Sequence, residues 1–263
     1  MDNMPVQKPR LAYAETSLPV ASVLQRIELA RRENVALEVA NKGNFPVEVY
    51  RRSRLEISAV QAYLMHEFHP LHRDRDRRRP ARAHVLETLE LAAKLGAPRI
   101  VTVCGFGEQL ADRPIDRAVE FFSQIIEPAK RLGVRVAIEP LSPKRCAALT
   151  HPQEIAQLIE QLGEPAVFGM LLDTGHLADS GIHLDEFFCQ WNEAIEELQL
   201  KGVGSTAPTG TMPVLQWLNS LSELPEVVCV EHRERISREK CAALLSLLRE
   251  KLATMGRGFP EGR

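Results

Sequence analysis

Eight short apolar runs, each followed by a stretch of helical periodicity, set the terms on which this chain can fold. Strands are expected at Leu11–Ala14, Val35–Val39, Leu55–Leu64, Ile100–Val103, Val134–Ile138, Val167–Leu172, Glu197–Leu200 and Glu226–Val230. The first helix is expected from the stripe Ala21, Leu24, Ile27, Leu29 and Ala30, with Ser17 as a cap, Pro19 in the first turn and an end near Arg32. Further helices are expected over Pro46–Ser53, Ala83–Leu95, about Ile115–Leu132, Pro152–Leu162, about Leu184–Glu193, about Met212–Ser220 and Ile236–Leu252. Gly96 with Pro98, and Gly133, mark two of the stops. Strict β-then-α alternation calls for parallel strands joined by helical crossovers. Eight such units in 263 residues close most naturally as a (β/α)₈ TIM barrel. The competing architecture is an open, doubly wound sheet. No Gly-rich GxGxxG turn follows the first strand, and no composition break divides the chain. One α/β barrel domain over about residues 10–254 is therefore expected, with polar tails at both ends.

Composition narrows the partners. A formal net charge of −2 supplies no global reason to bind nucleic acid or an anionic membrane, and neither is expected as a partner. No apolar run approaches the ~20 residues of a membrane span, and Met1–Arg10 lacks the apolar core of a signal peptide. The five cysteines are odd in number, scattered and without a CxxC pair, so neither a disulfide framework nor a thiolate zinc site is expected. A reducing cytoplasm is the simplest inference. Homo-oligomer formation is left open.

In a barrel of this kind the C-terminal strand ends share one face, where sites form. This chain places Glu38, Glu139, Asp173, Gln199, Lys201 and Glu231 at those ends, with His176 three residues beyond Asp173. Period-2 parity turns Glu139, Gln199 and Glu231 inward while Ile138, Leu198, Leu200 and Val230 face the helices. Clustered carboxylates repel unless a cation or protons compensate, and a divalent ion would do so economically. Asp and His together suit Mn, Co, Zn or Fe. Taken singly, each residue can instead cap a helix or pair with an arginine.

Val136-Ala137-Ile138-Glu139-Pro140-Leu141, Leu171-Leu172-Asp173-Thr174-Gly175-His176-Leu177 and Val230-Glu231 resemble the xylose isomerase-like TIM barrels. That superfamily holds sugar isomerases and epimerases, hydroxypyruvate isomerases and inosose dehydratases, with AP endonucleases as distant cousins. The resemblance runs from about Leu11 to Leu252 and includes Leu89–Gly96 before the fourth strand. It implies one divalent metal (Mn, Mg, Co or Zn) held by Glu139, Asp173 and Glu231, with Gln199 at the position of the usual seventh-strand His. The usual pattern there ends His-Leu-Lys-Asp, whereas this chain reads Gln199-Leu200-Lys201-Gly202. By resemblance, His176 contacts substrate more than metal.

The implied activity is isomerisation or epimerisation of a ketose, sugar phosphate or related polyol through an enediolate, a reaction of carbohydrate metabolism. Glu139 and Glu231 would be the proton-transferring pair. Dehydration by the same enediolate chemistry is the alternative, as is a barrel kept as a binding or pathway-accessory protein, which the change at Gln199 and Gly202 favours. His66, His69, Arg233, Lys201 and Tyr13 join His176 as candidate substrate contacts. The arginines from Arg73 to Arg82 read as a solvated loop or, less simply, as an anion clamp. Gly202–Gly210 reads as a lid or an ordinary turn.

Overall fold

The computed structural model describes residues 9–105, 112–208, 218, 221 and 224–255. Eight strands form a closed barrel: β1 Arg10–Ala14, β2 Ala36–Ala40, β3 Ile57–Gln61, β4 Arg99–Val103, β5 Arg135–Glu139, β6 Phe168–Asp173, β7 Ile195–Leu200 and β8 Val227–Val230. Every neighbouring pair is parallel, and β8 returns to β1 with Ala12 opposite Cys229 and Tyr13 opposite Val230. Around it run α1 Val23–Arg32, α2 Val47–Ser53, α3 Arg75–Leu95, α4 Pro114–Ser123, α5 Ile126–Leu132, α6 Pro152–Leu162, α7 Thr174–Asp179, α8 Leu184–Trp191 and α9 Arg238–Met255. The expected eight-strand barrel is the fold of this chain.

Strand alternation sorts the interior into two layers. Leu37, Val39, Ile100, Ile138, Leu172, Leu198, Val228 and Val230 join the helices' apolar residues in one large core. Full burial of such a side chain contributes ~1.5–3 kcal/mol. The residues facing the barrel axis are mostly small: Ala12, Ala14, Ala36, Val227 and Cys229 in one cluster, Ala59, Val101, Ala137 and Leu171 in another. Small side chains leave room along the axis for Glu38, Glu197 and Gln199, all fully buried.

Several elements differ from the sequence reading, each for a local reason. The third strand ends at Gln61 rather than Leu64, and Tyr63–His66 turn into a 3-10 helix. The arginine-rich segment is not a loop up to Arg82. Asp74 accepts the Asp76 N–H at 2.9 Å and starts α3 at Arg75, while Arg78 donates to Glu120 on α4 at 2.9 Å. Of these arginines Arg78 is buried, and Arg82 donates to Gln124 just beyond α4 at 2.5 Å. The helix expected over about Ile115–Leu132 is two, because Pro128 has no N–H for the carbonyl of Gln124 and crowds it. The helix expected over about Met212–Ser220 lies almost wholly outside the described residues.

The N-terminal mouth of the barrel is closed by charge. Arg99, 2% exposed, lies 3.3 Å from Glu196 and 3.9 Å from the fully buried Glu197, and also pairs with Glu226. Removing one partner of such a buried group leaves the others uncompensated. Arg99→Met is therefore expected to lower unfolding free energy by about 3–5 kcal/mol, read as a lower urea midpoint.

Candidate active site

The opposite, C-terminal mouth gathers the remaining polar residues. Asp173 ends β6 and caps α7, its Oδ1 accepting the N–H groups of Gly175 at 2.8 Å and His176 at 3.0 Å. The Asp-Thr-Gly-His stretch is thus a helix start rather than a reversing turn. Thr174 ties it to β7: its Oγ1 and the Lys201 backbone exchange two hydrogen bonds of 2.8 Å, one to the carbonyl and one from the N–H. Gly175 is required by proximity, since a Cβ there would stand 3.0 Å from both the Gly202 carbonyl oxygen and Lys201 Cγ.

Lys201 is held by this packing with its Nζ 2.5 Å from Asp173 Oδ2 and 2.7 Å from Glu231 Oε2. Burial alone would depress the ammonium, but Asp173, Glu231 and Glu139 outweigh it and hold Lys201 above its ordinary value. Burial would likewise raise Glu231, but Lys201 and Gln61 reverse the balance and hold it below the usual carboxylate range. Glu139 goes the other way, because burial and the neighbouring Asp173 hold it well above that range. The surroundings of the mouth therefore push its two glutamates in opposite directions, Glu231 toward the charged form and Glu139 toward the protonated one.

Deeper on the axis, Glu38 Oε1 accepts from Gln61 Nε2 at 2.6 Å and from Gln199 Nε2 at 2.8 Å. Gln61 also reaches Glu231 Oε1 at 3.2 Å. Burial, reinforced by repulsion from Glu197, holds Glu38 well above the carboxylate range. His176 accepts the Ser142 N–H at Nδ1 (3.3 Å), and burial lowers its pKa. A neutral imidazole that accepts at Nδ1 carries its proton on Nε2, and that nitrogen lies 3.7 Å from Glu139 Oε1.

Glu139 and Glu231 border a cavity of about 360 Å³ whose lining also includes Gln61, His66, Arg145 and Arg233. His66 and Arg233, both expected from sequence, lie there. His69 is not among the lining residues, and its ring lies against His72. Tyr13 is a correction: on the outward parity of β1, it is fully buried in the core, with its hydroxyl 2.7 Å from His232 Nε2. The described part of the 202–210 loop is tied down rather than free. Gly202 N–H donates to the Thr206 carbonyl at 2.9 Å, Arg233 N–H to that of Ser205 at 2.8 Å.

A family model described as xylose isomerase-like TIM barrel matches residues 47–216. The chain belongs to that family. No curated protein matches it in sequence. Among solved structures it resembles the IolI protein with a bound zinc atom at TM-score 0.76 and 14% identity, over 95% of this chain and 100% of that one. It resembles L-ribulose 3-epimerase at 0.77 and 15%, over 95% and 96%, and D-psicose 3-epimerase in the presence of D-fructose at 0.77 and 16%, over 92% and 99%. At these identities the likeness is one of fold.

Family membership raises the question of a metal. Ligand atoms of Glu139, Asp173 and His176 lie within 4.8 Å of one another, close enough to share a divalent ion. Several of the donor atoms already have partners. Asp173 Oδ1 accepts two backbone N–H groups, and Lys201 holds Asp173 Oδ2 and Glu231 Oε2. His176 presents an N–H, and Gln199 spends its amide nitrogen on Glu38. Of the four residues implied by resemblance, Glu139 accepts no hydrogen bond among the described residues, its nearest polar partner being His176 Nε2 at 3.7 Å, and Gln199 Oε1 is likewise without one. A divalent ion is plausible at this mouth, where it would compete with Lys201 for Asp173 and Glu231.

Gln61, Arg145, Ser142 and Glu197 are site or axial residues that the sequence reading did not single out. Glu197 shares the inward parity of Gln199, so alternation could have found it; Arg145 sits in a loop with no period to mark it.

Gly175→Ala should force Lys201 and Gly202 apart and cost about 1–3 kcal/mol in a chemical denaturation series. A second expectation concerns His84, whose Nε2 accepts the Leu64 N–H at 3.2 Å and steadies the turn carrying His66. Burial lowers His84 from 6.5 to about 4, so the unfolded chain binds the proton more tightly between those values. Stability should therefore fall as pH drops from 6.5 toward 4, by on the order of 3 kcal/mol, and His84→Gln should flatten that stretch of the pH–stability curve.

Proposed function

We propose that this chain is an isomerase or epimerase of sugar-type α-hydroxy carbonyl compounds, working by proton transfer through an enediolate. The observation that carries this is the pair Glu139 and Glu231, bordering one cavity and pushed in opposite directions from the ordinary carboxylate value by their surroundings. Neighbouring carboxyl groups pushed apart in this way supply an acid and a base at one pH. Glu231, as carboxylate, takes the proton from the carbon beside the carbonyl, the C–H electron pair forms the C=C bond of the enediolate, and the carbonyl π pair moves onto oxygen. Glu139, as carboxylic acid, returns a proton to carbon, and exchange with water resets the two groups.

A cavity of about 360 Å³ suits a small sugar or sugar derivative. Arg145 and Arg233 line it, and neither has an ion-pair partner among the described residues. Two guanidinium groups there favour a substrate that also carries a phosphate or carboxylate. The neutral Glu139 supports dehydration as a second reading, in which its proton goes to a departing hydroxyl group rather than to carbon.

Solvent deuterium exchange into a panel of ketoses, free and phosphorylated, followed by proton NMR, tests the reading. Glu139→Gln and Glu231→Gln are expected to cut exchange at least ~10²-fold with unchanged circular dichroism. Near-wild-type exchange in either variant would remove that residue from the mechanism. Exchange with loss of water from the substrate would identify a dehydratase, and no exchange across the panel would favour an accessory protein. Arg145→Ala and Arg233→Ala should raise KM for phosphorylated ketoses roughly tenfold, with little change for unphosphorylated ones.

A further inference from the structure

The carboxylates at the C-terminal mouth already enclose a cation. Lys201 Nζ lies 2.5 Å from Asp173 Oδ2 and 2.7 Å from Glu231 Oε2, two of the residues that the family resemblance assigns to a metal. We infer that the Lys201 ammonium stands where a divalent ion would be held and is the permanent positive charge of this site, so that the barrel works without a bound metal. Its role in catalysis rests on the enediolate reading; its role in cation binding rests on geometry alone.

Three further observations agree. The backbone of Lys201 is fixed by the paired hydrogen bonds to Thr174, and its side chain packs over Gly175, so the ammonium is placed by the fold rather than by chance rotamer choice. The position two residues earlier on β7 is Gln199, whose amide N–H is turned to Glu38. Finally, the Ser142 N–H points at 3.3 Å to the lone pair of His176 Nδ1, which a metal could otherwise use. A metal would need Lys201 displaced and would still meet the neutral amide of Gln199.

The chemistry suits an ammonium. Enediolate formation places negative charge on the former carbonyl oxygen, and a fixed buried cation stabilises it without reorganising. With its Nζ between Asp173 and Glu231, Lys201 acts in this reading by charge rather than by proton transfer.

Elemental analysis of the purified full-length protein and calorimetric titration with MnCl₂ and ZnCl₂ test this directly. Wild type is expected to hold far less than one ion per chain, and its exchange activity should survive chelation. Lys201→Ala, and separately Lys201→Met, should leave the carboxylates uncompensated and gain a one-per-chain site at least tenfold tighter than any in wild type. Added ion should raise the melting temperature of these variants and not that of wild type. Lys201→Ala combined with Gln199→His should bind tighter still. Stoichiometric metal in wild type would overturn the inference whether or not a variant folds, and so would folded variants that gain no affinity. Failure of every ketose to exchange would instead remove the isomerase reading, and the titrations would still decide the place of Lys201.

Discussion

Lys201 sits between Asp173 and Glu231, and the rest of the barrel mouth is arranged around that contact. Two like charges 4 Å apart repel by about 4 kcal/mol even at an effective dielectric of 20. Glu38, Glu139, Asp173, Glu197 and Glu231 all lie along one narrow axis, so they cannot all be ionised without positive charge between them. The ammonium keeps Glu231 charged. Out of contact with it, Glu139 and Glu38 are held well above the usual carboxylate range by burial and by their acidic neighbours. The difference between the two cavity glutamates follows from which of them Lys201 touches.

The axis is compensated from both ends. Arg99 plugs the N-terminal mouth against Glu197 and Glu226, Lys201 the C-terminal mouth, and the amides of Gln61 and Gln199 bridge the middle by donating to Glu38. This arrangement needs space, which the inward alanines and Cys229 provide. An ordinary barrel interior packed with Val, Ile and Leu would exclude it. The scaffold of the xylose isomerase-like family is thus retained while the charges inside are balanced by side chains of this chain.

Much of this was legible beforehand. Alternation of apolar runs with helical stripes leads to the eight-strand barrel, and strand parity correctly aims Glu139, Gln199 and Glu231 inward, because a strand of period 2 leaves each side chain little choice. Element edges were harder to read. Pro128 split one helix, and a charge-dense run proved helical because its arginines reach Glu120 across to α4, a partner more than forty residues away in sequence. Tyr13 failed for a related reason: its residue type suits a cavity wall as well as a core, and only its place on β1 turns it away. Lys201 was visible as a residue at the mouth, but nothing in its neighbours along the chain indicates that it meets Asp173 and Glu231.

By itself, then, the sequence determined the fold class, the strands that end at the site and the acidic character of the opening, because these depend on periodicity and residue type. The tertiary structure decided which carboxyl groups are pushed toward the charged and which toward the protonated form, and that Lys201 stands among them. Those properties depend on distances between residues brought together from different strands, and electrostatic energy is steep in distance where water is excluded.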